Sequence, residues 1–371
     1  MGAAGYLLLG TALPLQVLGL ILKAGLLLRE RPTRFAIGRD QGLFLTGIGV
    51  LAAVSFIMNV GTGGFDFRGY LVYGAVAASV CLTLLLVARD DFTQYAVGFV
   101  SIPYAVAVVH VFLAVSGGVD DHFGRVLYVG NTHPNLGGEI ASAAVLLASL
   151  SLRPRSFTVV VIPLTISVLL LQARAALACI LLLVLVWAVY EFRRLRWSRG
   201  ARFAAVSLLM LMVMSLWTHG STGARFVRED VLRVSDENRG IGSGFTGRVE
   251  PWGSAWEAFL ETPLIGSGID FRAEGDVSGV HNAVLYGLAR HGALSLLIWV
   301  PLVRAFANIW YRDRKASLCL LACLPLVFLN DRFINLNPYP FGMYVTVLAL
   351  GRGSRLGPLQ RIRGRHMVKQ G

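Results

Sequence analysis

The sequence predicts an all-α, polytopic membrane protein with about eleven transmembrane helices, within a range of ten to twelve, and one long external loop. Three observations predict it. Apolar residues make up 55% of the 371 and charged residues only 15%, against roughly 25% charged in soluble domains. The apolar residues fall in runs of membrane-spanning length, where a hydrocarbon core of about 30 Å takes about 20 helical residues. The formal charge of +13 sorts by alternate loops.

The apolar runs are 5–28, 41–60, 70–87, 95–115, 136–152, 157–171, 175–190, 203–217, 281–303, 316–328 and 340–350. Lipid offers no hydrogen-bond partner to a backbone group, so each run reads as a helix. The stretch 157–190 admits another division, and the last two runs are short. The first run lacks a basic flank ahead of it and further apolar runs follow, so it reads as a span and not as a signal peptide. The four cysteines, Cys81, Cys179, Cys319 and Cys323, lie inside apolar runs and read as small buried hydrophobes.

One set of alternate loops, with the tail, holds 22 basic residues and six acids; the opposite set holds ten basic residues and fourteen acids. Without the long loop, the basic comparison is 22 against four. The positive-inside rule then makes the first set cytoplasmic, with the C-terminus inside and, for eleven spans, the N-terminus outside. The high pI of about 10.1 is thus a topology signal, and nucleic acid is not an expected partner. The chain divides into N-terminal helices over 1–218, an external loop over 219–280, C-terminal helices over 281–350 and a basic tail over 351–371. The tail reads as a cytoplasmic anchor near anionic lipid.

The long loop runs from near Trp217 to near His281. Residues 222–243 are polar and glycine-containing, and read as irregular. Residues 250–261 (EPWGSAWEAFLE) read as a helix opened by Pro251. Trp252, Trp256, Phe259 and Leu260 recur at helical spacing, and Thr262-Pro263 closes the run. Such a stripe fits a helix lying in the membrane interface and equally one packed on the membrane domain.

Three cationic or imidazole groups fall where an outward-facing polar site can form. His281, followed by Asn282, opens a span. Arg174 lies in the tight turn between two spans, and Arg248 stands just before the amphipathic helix. A guanidinium offers phosphate a planar, permanently charged fork; an imidazole can take a proton from a hydroxyl near neutral pH. Taken singly, a boundary histidine is more often structural, and an arginine at a helix end more often snorkels. Within the spans, Glu139 and Arg290 are intramembrane charges, which mark functional sites and tend to pair. His110 and His291 read as structural, and Asp120-Asp121-His122 as a solvated turn. No Walker-type glycine loop and no zincin helix occurs, and neither metal nor cofactor is expected.

Taken together, these residues resemble the bacterial O-antigen ligases and O-antigen polymerases. His281-Asn282, nine residues and Gly292 match that family's histidine motif. Gly247-Arg248 with Trp252 and Ala255, then Pro263-Leu264-Ile265-Gly266-Ser267-Gly268, resembles the segment before it. Gln172-Ala173-Arg174-Ala175-Ala176 is similar to the family's Ser-Arg-Gly-Ala turn, with Ala173 and Ala175 replacing its serine and glycine. His133-Pro134-Asn135-Leu136-Gly137 resembles its Asn-Pro-Asn segment, with His133 replacing the first asparagine. Ser295 stands where ligases often carry Gly, Thr or Tyr. The likeness runs from about residue 130 to 301, and family members commonly have twelve spans.

The resemblance implies a metal-independent, inverting glycosyl transfer on the periplasmic face of the bacterial inner membrane. The donor would be a glycan on undecaprenyl diphosphate, and the acceptor another glycan or a lipid A core. Arg174 and Arg248 would hold the diphosphate, His281 would serve as general base and Asn282 would orient acceptor or imidazole. Arg290, Asn135 and Glu139 would line the substrate cavity. Ligase and polymerase both fit. The rival from another class is a transporter of an anionic or lipid-linked substrate, for which helices broken near the midplane would speak.

Overall fold

The computed structural model describes residues 13–30, 37–62, 67–89, 92–117, 121–122, 125–126, 134–194, 246–268, 271, 280, 282–328 and 338–351. The helices in chain order are α1 (Leu13–Glu30), α2 (Arg39–Thr62), α3 (Phe67–Arg89), α4 (Phe92–Val115), α5 (Pro134–Ser151), α6 (Pro154–Leu170) and α7 (Arg174–Arg194). Then come α8 (Thr246–Glu261), α9 (Ala283–His291), α10 (Leu296–Arg312), α11 (Arg314–Leu321), α12 (Leu324–Phe328) and α13 (Pro338–Gly351). A small antiparallel pair, β1 (Asp121–His122) and β2 (Arg125–Val126), joins them. Two residues read as part of a solvated turn therefore lie in a hairpin. The expected runs meet these helices wherever they fall on described residues; 203–217, the irregular 222–243 and the basic tail lie outside them.

Among the described residues, four stretches are by themselves long and apolar enough to cross a membrane: 39–58, 92–115, 174–191 and 283–312. Apolar side chains on several helices point away from the protein at helical spacing. Val159, Ile162 and Ile166 do so on α6, and Leu181, Leu185 and Val189 on α7. In water such stripes would be a liability; against lipid they are the expected outer surface. The chain is thus a multi-pass helical membrane protein.

The core is built around α5. Its residues from Gly137 to Ser149 are all buried, and it packs against α4, α6, α7, α11 and α13. The sequence permits this because Gly137, Gly138, Ala141, Ser142, Ala143 and Ala144 let neighbouring backbones come close. At Gly138 a β-carbon would stand 2.6 Å from the Ala173 Cβ and 2.8 Å from that of Ala176. The Ser142 hydroxyl donates to the Gly138 carbonyl at 2.9 Å.

Two expected spans are broken, each for a local reason. In 316–328, α11 gives way to α12 at Ala322-Cys323, because Pro325 has no N–H to donate to the preceding turn. In 281–303, α9 stops at His291, residues 292–295 make one 3-10 turn, and α10 follows. Gly292 adopts φ +56° there, a value that ends a right-handed helix and favours glycine.

Helices α2 and α10 run antiparallel and set a depth scale. Asp40 Oδ1 meets Arg304 Nε at 3.4 Å. Gly47 lies against the Leu297 backbone. The Ser55 hydroxyl meets His291 Nδ1 at 3.3 Å. Fifteen residues of α2 from Asp40 to Ser55 rise about 22 Å, which puts the α9–α10 break in the far third of a core about 30 Å thick. Among the described residues, the ion pairs Arg304–Asp40 and Lys315–Glu191 (3.5 Å) each join residues from one set of loops, in keeping with the sorting of charge by loop.

Candidate active site

Helix α8 begins at Thr246, one turn ahead of the expected 250–261, so Arg248 lies within its first turn and not before it. Pro251 sits inside the helix instead of opening it, which costs one backbone bond to Gly247 near the N-terminus. The early start places Arg248 four residues before Trp252 and seven before Ala255, on the helical stripe those two occupy.

The stripe expected as one apolar face is divided. Trp252 and Ala255 turn toward α9 and form a small core with Val280, Ala289, Leu285, Tyr286 and Phe271. Trp256 and Leu260 point outward. The Trp252 indole N–H donates to the Val280 carbonyl at 2.8 Å. His281 lies outside the described residues, but both of its neighbours are fixed. Val280 is held by Trp252, and Asn282 is the N-cap of α9, its Oδ1 accepting from Val284 N and Leu285 N at 3.1 Å each.

The cap is a role that the sequence reading did not assign to Asn282. It satisfies two of the four orphan N–H groups at that helix end. Asn282→Asp should keep the cap, whereas Asn282→Ala should cost about 1 kcal/mol. Thermal unfolding in detergent checks this: an alanine variant melting with the parent would show that the cap carries no stability.

Asn282, Tyr286 and Arg290 follow one another at i, i+4 and i+8, along one face of α9. The Arg290 guanidinium lies 4.2 Å from the Tyr286 ring centroid, an arrangement that holds a cation by the ring quadrupole. Arg290 therefore meets Tyr286, and not Glu139 as the pairing of intramembrane charges suggested. Tyr286 also packs on Phe271, with ring centroids 6.5 Å apart. Sequence reasoning passed over Tyr286, although its four-residue spacing from both Asn282 and Arg290 was a usable signal.

The far end of α9 is held by 262–268. Ser267 N donates to the Ala289 carbonyl at 2.8 Å and Gly268 N to that of Arg290 at 2.9 Å. In return, Ala293 N donates to the Pro263 carbonyl at 2.7 Å and Leu294 N to that of Leu264 at 3.3 Å. These four bonds satisfy groups that a helix break would leave bare inside a membrane. The contact is backbone on backbone. Gly266 (φ +72°) lies against Arg290 and His291, and Gly292 against Leu264 and Ile265, each too close for a β-carbon. The Pro-Leu-Ile-Gly-Ser-Gly segment and the glycine of the histidine motif are thus two halves of one clasp.

Arg174 belongs to a second group. It opens α7 after the turn Leu171-Gln172-Ala173, where Gln172 takes φ +50°. A cation at this end of a helix adds to the positive end of the dipole and favours an anion nearby. Gly138 brings α5 against the same turn, so exposed Asn135 and buried Glu139 lie on the helix beside it. Helix α12 packs on both α7 and α9 and links the two groups. His110 Nδ1 meets the Ser167 hydroxyl at 2.7 Å, and His291 joins α9 to Ser55; both make helix-to-helix contacts, as expected.

A family model described as O-antigen ligase matches residues 159–300. Over those residues the chain is similar to the O-antigen ligases. No curated protein matches the sequence. The matched segment takes in Arg174, Arg248, His281, Asn282 and Arg290, together with α8, α9 and the clasp between them. Asn135 and Glu139 fall before it, and their place beside the site rests on the packing of α5 against α7.

Proposed function

We propose that the protein is a membrane glycosyltransferase moving a glycan from undecaprenyl diphosphate onto an acceptor hydroxyl. The acceptor is another lipid-linked glycan or a lipid A core. The α8–α9 clamp carries the reading: one indole hydrogen bond pins Val280, next to His281, to a helix that bears Arg248 one turn away. His281 takes the acceptor hydroxyl proton as that oxygen attacks the anomeric carbon from the face opposite the diphosphate. The bond from carbon to diphosphate oxygen breaks, and the leaving group departs with the electron pair. Direct displacement inverts the configuration. Arg248 and Arg174, with Arg290 held by Tyr286, neutralise the charge gathering on the diphosphate, so the step needs no metal. Asn135 and Glu139 line the cavity on the α5 side. The site faces the periplasm from the inner membrane, with the C-terminus cytoplasmic, in keeping with the distribution of arginine among the loops.

Both helix breaks would favour a transporter. At 322–323 the bonds from Ala322 N to the Leu318 carbonyl, Cys323 N to that of Leu320 and Leu326 N to that of Cys323 carry the backbone through, which leaves the break between α9 and α10. Its backbone groups, however, are already bonded to 262–268, which leaves them no part in a substrate path. Purified protein in liposomes, given lipid-diphosphate-linked glycan and acceptor, is expected to form the transferred product with and without a chelator. Uptake of the glycan without transfer would favour the transporter instead, and loss of transfer with chelator would remove the metal-free step.

A further inference from the structure

Helix α8 presents three faces. One docks on α9 through Trp252 and Ala255, and a second carries exposed Glu250, Glu257 and Glu261. The third is apolar and bare: Trp256 is 46% exposed and Leu260 58%, and the stripe continues onto the loop with Leu264 at 72% and Ile265 at 42%. The bond from Leu294 N to the Leu264 carbonyl places this stripe beside the start of α10. There Leu296, Leu297, Val300 and Val303 form an outward apolar surface along α10. Leu264 also abuts Gly292, next to His291, about 22 Å along the α2 scale from Asp40. The loop therefore reaches into the depth range of the hydrocarbon core.

We infer that α8 and the loop after it seat on the bilayer, with Trp256, Leu260, Leu264 and Ile265 in contact with acyl chains and the glutamates in water. The seat continues the lipid-facing surface of α10 and lies at a depth where water is scarce, so lipid is the occupant. It also has a use. Because α8 grips Val280 and the loop grips 289–294, the membrane contact sets the height of the α9 N-terminus above the bilayer. Only this use rests on the proposed glycan transfer; the contact itself does not.

Spin labels in proteoliposomes of the full chain test it, on a Cys81→Ser background because the other three cysteines are buried. A nitroxide at Leu264→Cys is expected to relax strongly with oxygen and weakly with a water-soluble nickel chelate. One at Glu257→Cys should show the reverse, and Leu260→Cys should follow Leu264. Nickel relaxation at Leu264 and Leu260 equal to that at Glu257 would place the stripe in water and overturn the inference. Shielding from both relaxants with spin–spin broadening would show a second copy there and overturn it equally. The labels report depth and not turnover, so an inactive protein can still pass and an active one can still fail.

Discussion

His281→Ala is expected to lower glycan transfer by about 10²–10⁴-fold, the usual contribution of a positioned general base. The fold should survive it. The described contacts on either side run through the Val280 carbonyl and the Asn282 side chain, and neither needs an imidazole between them. Arg248→Ala should cost about 10²–10³-fold by removing one donor to the developing negative charge. Arg248→Lys should recover only part of that, because an ammonium keeps the charge and loses the planar fork. The measurement is initial rate in liposomes at matched protein, with thermal unfolding alongside. Near-parental transfer by both alanine variants would remove the proposed mechanism. Equal loss of melting temperature and activity would instead assign the residues a structural part. Combined, the substitutions should cost less than the product of the single effects, since both act on one step.

Much of this architecture was legible before any coordinates. Helix positions follow from hydropathy, because lipid leaves the backbone no alternative. The loops that carry Asp40, Glu191, Arg304 and Lys315 were sorted to one side, and the ion pairs join them accordingly. The break at Gly292 was not legible, since 281–303 is apolar enough overall to read as one span despite Arg290 and His291, and hydropathy does not register φ. The division of the α8 stripe was hidden for a related reason: periodicity finds apolar residues but cannot tell a protein neighbour from lipid. The α8 N-terminus moved because Pro251 was expected in the first turn, where proline is most often tolerated. At the site, Arg248, Asn282 and Gly292 were visible through their motif. The clasp between 262–268 and 289–294 was not, because backbone-to-backbone contacts leave only glycines as a trace in the sequence.

That clasp should be the most substitution-sensitive place in the domain, and alanine at Gly266 or Gly292 is the test. At Gly266 an added methyl meets the Arg290 and His291 backbone, and at Gly292 that of Leu264 and Ile265; backbone cannot swing aside as a side chain tip can. Each position also has positive φ, where a residue with a β-carbon is strained by about 1–3 kcal/mol, and overpacking typically adds 1–3 kcal/mol. A loss of about 2–6 kcal/mol is expected for either variant, a large share of the roughly 5–15 kcal/mol by which a folded domain is stable. Glycan transfer should fall with it, because the clasp holds the turn that carries Arg290. Gly253→Ala is the control. Gly253 lies within α8, with open space where a β-carbon would go, so the same substitution should stabilise by up to about 1 kcal/mol through helix propensity. Melting temperatures of the three variants should therefore move in opposite directions. If Gly266→Ala and Gly292→Ala melt with the parent, α9 is not held at its C-terminal end by the loop, and the coupling of membrane seat to site loses its mechanical link.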